Sequence, residues 1–144
     1  MTTGVAPVKQ AFVEKLRTNL ALKAMVTSDG INEGASPRGG DYPYIIYSVV
    51  HSYREHDGTN VTLVTDIDVY SVSNDTVEAN TLDQLVADTL EDANLDFSVA
   101  GPEQTSLLCR RIGDLSSVDV DAAGTRIYSM CGIYRVWTDQ KRTA

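Results

Sequence analysis

Long apolar runs are missing from this chain of 144 residues. The longest, residues 44–50, is interrupted by a serine, whereas a membrane-spanning helix needs about 18 apolar residues. The first residues, Met-Thr-Thr-Gly-Val-Ala-Pro, also lack the basic flank and the apolar block of a secretory signal. We therefore expect a protein that contacts no membrane and folds in a cytoplasm. In that compartment Cys109 and Cys131 are expected to be free, buried thiols.

Residues with which enzymes commonly work are also scarce. The two histidines, His51 and His56, lie close together in sequence, and neither cysteine has a histidine nearby. A nucleophile with an oriented base is therefore not indicated. The sequence contains no C-x-x-C pair, no nucleophile elbow and no Gly-Lys-Ser/Thr phosphate loop. These absences predict a protein that is not an enzyme and that holds no cofactor and no metal.

Positive charge is unevenly distributed. No lysine or arginine lies between Arg54 and Arg110, although the same stretch carries twelve carboxylates. The last nineteen residues instead hold four basic side chains and one acidic side chain. One interpretation is ordinary solubility for a chain of net charge −8. The other is that an acidic face and a mildly basic face meet in head-to-tail self-association, and this asymmetry disfavours sequence-specific DNA binding.

Periodicity predicts a helix first and then a long loop. Phe12, Leu16 and Leu20 recur every four residues, so we expect one helix that ends near Val26. Residues 27–41 then contain four glycines. Such a composition and length predict a flexible loop, and loops of this kind inside a compact domain are usually functional or disordered.

A hairpin follows this loop. Residues 44–54 are rich in β-branched and aromatic side chains, Asp57-Gly58 is a turn signal, and residues 61–71 alternate between apolar and polar. Both strands exceed the usual length of about five or six residues, so the hairpin can project beyond the body of the domain. Its second strand is expected to present Asp66 and Asp68 on a polar, outward side.

Three more elements are predicted, namely a helix capped by Asn74 or Asp75, a strand at residues 104–113 and a strand at residues 126–138. Val77 is expected in the apolar stripe of the helix. Residues 115–125 are acidic and rich in small side chains, which predicts a connecting loop. Gly132 is expected at a β-bulge.

The predicted order is α-β-β-α-β-β. It indicates an α+β fold in which two hairpins form an antiparallel four-stranded sheet and two helices pack on one face. We expect a single domain that spans residues 1–144, with a flexible loop at 27–41 and a C-terminal tail at 139–144.

Asp66 and Asp68 support an alternative of a different class. Because they point to the same side of one strand, they can hold a divalent cation or take part in acid–base chemistry. A small metal-dependent hydrolase would use both, with His51 as a further candidate. A magnesium nuclease would normally add more acids and a lysine, and this stretch has no lysine. We therefore expect both carboxylates to belong to an ordinary polar strand face.

Three motifs occur in order, namely Asp41-Tyr-Pro-Tyr-Ile-Ile-Tyr after a loop rich in Gly and Pro, Thr65-Asp-Ile-Asp-Val-Tyr-Ser, and Gly132-Ile-Tyr-Arg-Val-Trp. In this order they resemble the tail-terminator, or tail-completion, family of long-tailed bacteriophages (siphophages). The first is similar to the Leu-Pro-Tyr-Val-Val-Tyr-like start of the family's first strand, the second to its Val-x-Val-Asp-Val-Tyr second strand, and the third to its closing strand. The resemblance covers about residues 8–138.

The resemblance implies a function without catalytic residues. Members of the family form a hexameric ring that caps the tail tube, stops its polymerisation and joins it to the head-side connector. We therefore expect a structural virion protein at the tail–head junction, assembled in the host cytoplasm. The implied partners are further copies of the chain, the tail-tube protein and the head-completion (stopper) protein. DNA would pass through without specific binding, and Asp66 and Asp68 are candidates for an acidic channel wall.

The end of the first hairpin is the candidate assembly interface, because strand edges there are open to pairing with another chain. The candidate residues are Tyr53, Arg54, Glu55, His56, Asp57, Gly58, Thr59 and Asn60, with Arg38 in the loop. A head-closure or other connector ring subunit is the structural alternative, since it would share the size and acidity of a terminator. Binding to the tail-tube protein would separate the two.

Overall fold

The computed structural model describes residues 5–26, 30–34, 42–57, 60–91 and 104–140, with the backbone alone at residues 57, 60, 104–107 and 140. The helices are α1 (Val5–Arg17), α2 (Leu20–Met25) and α3 (Thr76–Leu90). The strands are β1 (Ile31–Glu33), β2 (Tyr44–Asp57), β3 (Asn60–Ser73), β4 (Gln104–Val120) and β5 (Arg126–Gln140). These elements form a single α+β domain, as the sequence predicts.

The N-terminal helix is broken in two. Asn19 separates α1 from α2, and its side chain accepts a hydrogen bond from the backbone N–H of Leu22 at 3.0 Å. Asparagine favours this capping position over a helix interior because its amide oxygen satisfies an otherwise unpaired donor. The prediction of one helix up to Val26 was therefore wrong, and Leu20 is 80% exposed rather than part of the apolar stripe.

A fifth strand lies inside the segment predicted as a loop. Strand β1 pairs in parallel with β2, with Ile31 opposite Ile45, and Ile31 is buried. The prediction of a flexible loop over the whole of residues 27–41 was therefore wrong, because Ile31 in its middle is buried in a strand. Residues 27–29 and 35–41, which include Arg38, lie outside the described residues.

The described strands form one mixed sheet of five strands in the order β1-β2-β3-β5-β4. This sheet replaces the predicted antiparallel sheet of four strands, although the four long strands are antiparallel to their neighbours as expected. Three register shifts interrupt the pairing, one in β2 at Val50 and two in β4, at position 107 and at Ile112. Gly132 pairs in register with both Val69 and Asp114, so it is not at a bulge.

The long hairpin does not project alone. Strand β5 pairs with β3 as far as Val61, opposite Gln140. The end of the hairpin therefore remains within the sheet, and β2 is the strand whose outer side lies at the edge. The hairpin closes with Asp57 opposite Asn60, and Gly58 and Thr59 lie outside the described residues.

The last hairpin is longer than the sequence predicts. Strand β4 continues to Val120, through most of the segment expected to be a loop, because β5 pairs with it as far as Arg126. The turn itself is held by Asp121, whose carboxylate accepts hydrogen bonds from the N–H groups of Ala123 and Thr125, each at 2.9 Å. At the other end Asp139 and Gln140 belong to β5, so the predicted tail at 139–144 begins too early.

All three helices pack on one face of the sheet. Their apolar side chains form a continuous core with the odd-numbered residues of β3, among them Leu63, Ile67 and Val69. Asp75 caps α3 as predicted, and its side chain accepts from the N–H of Val77 at 2.9 Å. Val77 itself is 69% exposed, so its expected place in the apolar stripe was wrong.

One arginine ties α3 to the sheet. The guanidinium of Arg111 donates to both carboxylate oxygens of Asp83, each at 3.0 Å, and to the hydroxyl of Tyr134 at 2.9 Å. Burial alone would lower the pKa of Arg111, but these hydrogen bonds and the one to Asp114 raise it above its ordinary value. The contact between Arg111 and Asp83 is bidentate and charge-assisted, and hydrogen bonds of this kind are stronger than those between neutral groups.

Candidate assembly surface

The sheet face opposite the helices carries no described helix, so it is a candidate surface for assembly. The even-numbered side chains of β3 point to this face. Val64 is nonetheless fully buried, since it lies between Tyr53 on β2 and Trp137 on β5. Side chains from neighbouring strands, such as Tyr53, Val64 and Trp137, therefore pack against one another on this face. Because these side chains are largely apolar, the face is partly apolar.

An ion pair lies at the centre of this face. Arg135 donates to Asp66 through Nε at 2.8 Å and through Nη2 at 3.0 Å, and its guanidinium lies 5.9 Å from the ring centre of Trp137. The Nδ1 atom of His51 is 3.9 Å from the same carboxylate. The hydrogen bond to Asp66 raises the pKa of Arg135. Asp66 is only 9% exposed, which corrects the expectation of a solvent-facing carboxylate.

Asp68 lies two residues further along the same face and has a different environment. Its Oδ1 atom is buried and has no hydrogen-bond partner among the described residues. Burial raises the pKa of Asp68, and the negative charge of Asp66 raises it further. Because Arg135 occupies both oxygens of Asp66, the two carboxylates are not arranged as a pair around one cation. Within the described ranges no group of three or more His, Cys, Asp or Glu side chains is placed to hold a metal ion.

Cys131 and Tyr70 complete the face near its other end. Cys131 and Cys109 are both buried and neither forms a disulfide bond, which confirms the prediction of buried thiols outside a disulfide. Burial raises the pKa of the Cys131 thiol to about 11, with a further increase from the charge of Asp68. A thiol with such a pKa is protonated at neutral pH, so it is a poor nucleophile.

Four of the predicted interface residues can be located at the end of the first hairpin. Tyr53 is half-buried on the face opposite the helices, with its ring centre 5.3 Å from that of His51. Arg54, Glu55 and His56 are exposed. The side chains of Asp57 and Asn60, together with Gly58, Thr59 and Arg38, lie outside what the structure describes. The hairpin thus places one aromatic and three polar candidates on the edge strand β2.

Sequence reasoning missed a second exposed strip on the opposite edge strand. Ile112, Leu115, Val118 and Val120 of β4 are 44–64% exposed. None of the described strands pairs with the outer side of β4. The signal in the sequence was the recurrence of aliphatic residues among the serines and aspartates of residues 112–120, which the acidic composition concealed. Exposed apolar side chains on an open strand edge are typical of a surface that pairs with another chain.

None of the described helices is long and apolar enough to span a membrane. The family described as "Tail completion protein gp17" matches residues 10–129, which is most of the chain. The chain belongs to this family. A tail completion protein is a structural component of the phage tail, so this one is a virion protein, as the resemblance implied.

Two further comparisons bear on the tail completion protein. A solved structure with the description "Virion of native gene transfer agent (GTA) particle" contains a similar chain, with a TM-score of 0.70 and 17% sequence identity. The alignment covers 94% of this chain and 96% of that one. At this identity the likeness shows a shared fold over nearly the whole length. No curated protein matches the sequence.

Proposed function

We propose that this protein is a tail terminator, whose copies form a ring that caps the tail tube and joins it to the head-side connector. Membership of the tail completion family carries the proposal. The structure adds a physical reason for self-association, because among the described strands residues 51–57 of β2 and residues 113–120 of β4 pair on one side only. Exposed apolar side chains lie on both strands, namely Val50 on β2 and Ile112, Leu115, Val118 and Val120 on β4. Edge strands of this kind are usually protected or paired in stable proteins. A ring in which copies contact head to tail would cover both edges at once.

The end of the first hairpin is proposed as part of the contact between copies. Arg54, Glu55 and His56 are exposed there beside the half-buried Tyr53. Aromatic residues and arginine are enriched at protein interfaces because they bring large contact area and several hydrogen-bond donors. The proposed partners beyond the ring are the tail-tube protein on one side and the head-completion protein on the other.

The proposal assigns the protein no catalytic step. Asp66 is paired with Arg135, and Asp68 stands apart as a half-buried carboxylate, so neither has the environment that the hydrolase alternative requires. A channel wall formed by the sheet face opposite the helices would carry Asp66 already neutralised by Arg135. Repulsion of DNA would then depend on other carboxylates of the acidic stretch, and DNA would pass without specific binding.

Imaging of purified tails tests the proposal. Tails that contain the protein are expected to end in an additional ring, six-fold by resemblance, at the head-proximal end, and tails from a lysate that lacks the protein should lack this ring. Antibody labelling against the protein would identify the ring. Labelling on the head portal instead of the tail tube would contradict the terminator assignment and favour a head-closure subunit. A single copy at the tail end would contradict the ring.

A further inference from the structure

Each outer edge of the described sheet is contacted by another described segment in one part and pairs with none in another part. On β2, residues 45–47 pair with β1, whereas residues 51–57 pair only with β3. On β4, the N–H of Arg111 donates to a carboxylate oxygen of Glu91 at 2.6 Å, whereas residues 113–120 pair only with β5. The two open segments lie on opposite edges and at opposite ends of the sheet. Each begins just after a bulge, at Val50 in β2 and at Ile112 in β4.

We propose that these two open segments pair with each other between neighbouring copies of the chain, with Arg54 of one copy opposite Asp114 of the next. The occupant of each edge is thus a second copy, and the sheet continues from copy to copy. This inference rests on the proposed ring and adds to it the surfaces and the register of the contact.

Strand direction supports the pairing. Strands β2, β3, β5 and β4 are each antiparallel to the next, so β2 and β4 run in opposite directions. A rotation about a ring axis carries each strand into its equivalent in the next copy. The β4 strand of one copy and the β2 strand of the next therefore meet antiparallel, which gives a heterologous contact that can close into a ring.

The sides of the sheet restrict the register. Arg54, opposite Leu63, and Asp114, opposite Gly132, lie on the helix-bearing side, while Tyr53 and Leu115 lie on the other side. A slip by one residue would put each side chain against one from the opposite side, so only slips by two are allowed. The proposed register has five cross-copy pairs, namely Val50–Val118, His51–Ser117, Ser52–Ser116, Tyr53–Leu115 and Arg54–Asp114.

Side-chain chemistry selects this register among the allowed ones. It joins the exposed Arg54 to Asp114, whose side chain is 76% exposed and also accepts a hydrogen bond from Arg111 of its own copy. It places Tyr53 against Leu115. It also covers Val50 and Val118, which are 58% and 57% exposed in the single chain. Opposite charges and aromatic–aliphatic pairs across strands are both stabilising. A slip by two residues that put Glu55 opposite Leu115 would lose both the ion pair and the Tyr53 contact.

The proposed register shifts neighbouring copies along the strand direction, and the size of this shift agrees with the geometry of a closed ring. Within one copy Arg54 lies level with Thr138 of β5, whereas Asp114 lies level with Gly132, six residues away on the same strand. Six residues correspond to a shift of about 20 Å along the strand. The four long strands of each copy span about 19 Å across the sheet, perpendicular to the strands. The strands would then be tilted by roughly 45° to the ring axis, at the upper end of the tilt common in closed β-barrels.

Paired cysteines test the contact and its register on assembled tails. The chain with Ser52→Cys and Ser116→Cys is compared with a control chain that carries Ser52→Cys and Ser117→Cys. In the proposed register the first pair lies within about 4.4–6.8 Å between Cα atoms, the range that a disulfide requires, whereas the side chain at position 117 points to the other side. Within one copy the two positions lie about 14 Å apart across the sheet and six residues, or about 20 Å, apart along the strands, which excludes a bond inside the chain. The native Cys109 and Cys131 are buried, so the parent chain sets the background.

Mild oxidation of tails that carry the first variant is expected to give a ladder of covalent multimers on a denaturing gel. The control variant and the parent chain should give a ladder at least ten times weaker. Rings that are visible on the tails without any ladder would overturn the edge pairing and leave the ring intact. Equal ladders from both variants would overturn the register, and a product with the mass of another virion protein would overturn the identity of the occupant. Absence of a ring on parent tails would instead overturn the proposed function, and the edge pairing with it.

Discussion

Gly132 lies directly beneath the guanidinium of Arg111. A Cβ atom at this position would be 2.7 Å from Nη1 of Arg111 and 2.7 Å from Cε2 of Tyr134. Both atoms belong to the contact that holds α3 on the sheet through Asp83. Glycine is therefore required here by the close approach of two side chains, not by backbone conformation.

Replacement of Gly132 with alanine is expected to destabilise the protein by about 1–3 kcal/mol, because the added methyl group displaces Arg111 or Tyr134. Gly113→Ala is the matched control on the adjacent strand, since a Cβ there would meet the flexible end of Ile133 at 3.2 Å. Urea unfolding of both variants measures the difference. A loss at Gly132 no larger than that at Gly113 would contradict the role given to Arg111.

Asp66→Asn is expected to lower the free energy of unfolding by about 1–3 kcal/mol, since it leaves the guanidinium of Arg135 without the carboxylate of Asp66, which is only 9% exposed. Asp88→Asn on the exposed surface of α3 is the control and should change stability little. Thermal unfolding monitored by circular dichroism checks both. Unchanged stability of the Asp66 variant would mean that the ion pair with Arg135 does not stabilise the fold, as is the case for many exposed ion pairs.

Asp68→Asn is expected to raise the free energy of unfolding at neutral pH, which is the opposite of the effect expected for Asp66→Asn. The pKa of Asp68 is raised by burial and by Asp66, so the folded chain holds this proton more tightly than the unfolded chain, whose aspartate titrates near 3.8. The stabilising contribution of the group is complete below pH 3.8 and is lost as the pH rises through the folded-state pKa. The ionised carboxylate therefore opposes folding at pH 7, and the amide removes that penalty.

The variant with Asp68→Asn should accordingly be more stable than the parent chain at pH 7, and the difference should shrink as the pH falls to 3.8. Melting temperatures across this pH range give the comparison. A stability difference that grows toward low pH would show that folding does not raise the pKa of Asp68.

Arg54→Glu is expected to reduce assembly on tails by tenfold or more without loss of fold, because Arg54 is exposed on the free edge of β2 and like charges across paired strands repel. Lys23→Glu makes the same charge reversal at an exposed site on α2. Co-sedimentation with tails measures both variants. Equal binding by the two would remove Arg54 from the interface.

Local patterns in the sequence were sufficient for several elements. The N-cap at Asp75 and the alternation of the first hairpin are set by neighbours within a few residues, so they could be predicted. The order of motifs was also sufficient to indicate the family, whose model then matched residues 10–129.

Contacts between distant residues decided what the sequence could not predict. Strand β1 forms because Ile31 is buried beside β2, and the end of β4 is a strand because β5 pairs with it, although its composition is typical of a loop. Asp66 was expected to face solvent because its partner, Arg135, is 69 residues away in the sequence. The candidate surface on β4 was missed for the same reason, since a free edge is a property of the whole sheet.

The distribution of tail lengths tests the central claim most directly. Particles are produced with and without the gene for this protein, and tail lengths and head attachment are counted by electron microscopy. Without the protein we predict tails that extend past the normal length and remain separate from heads, and addition of purified protein during assembly should restore normal, attached tails. Tails of normal length joined to DNA-filled heads in the absence of the protein would contradict the terminator function.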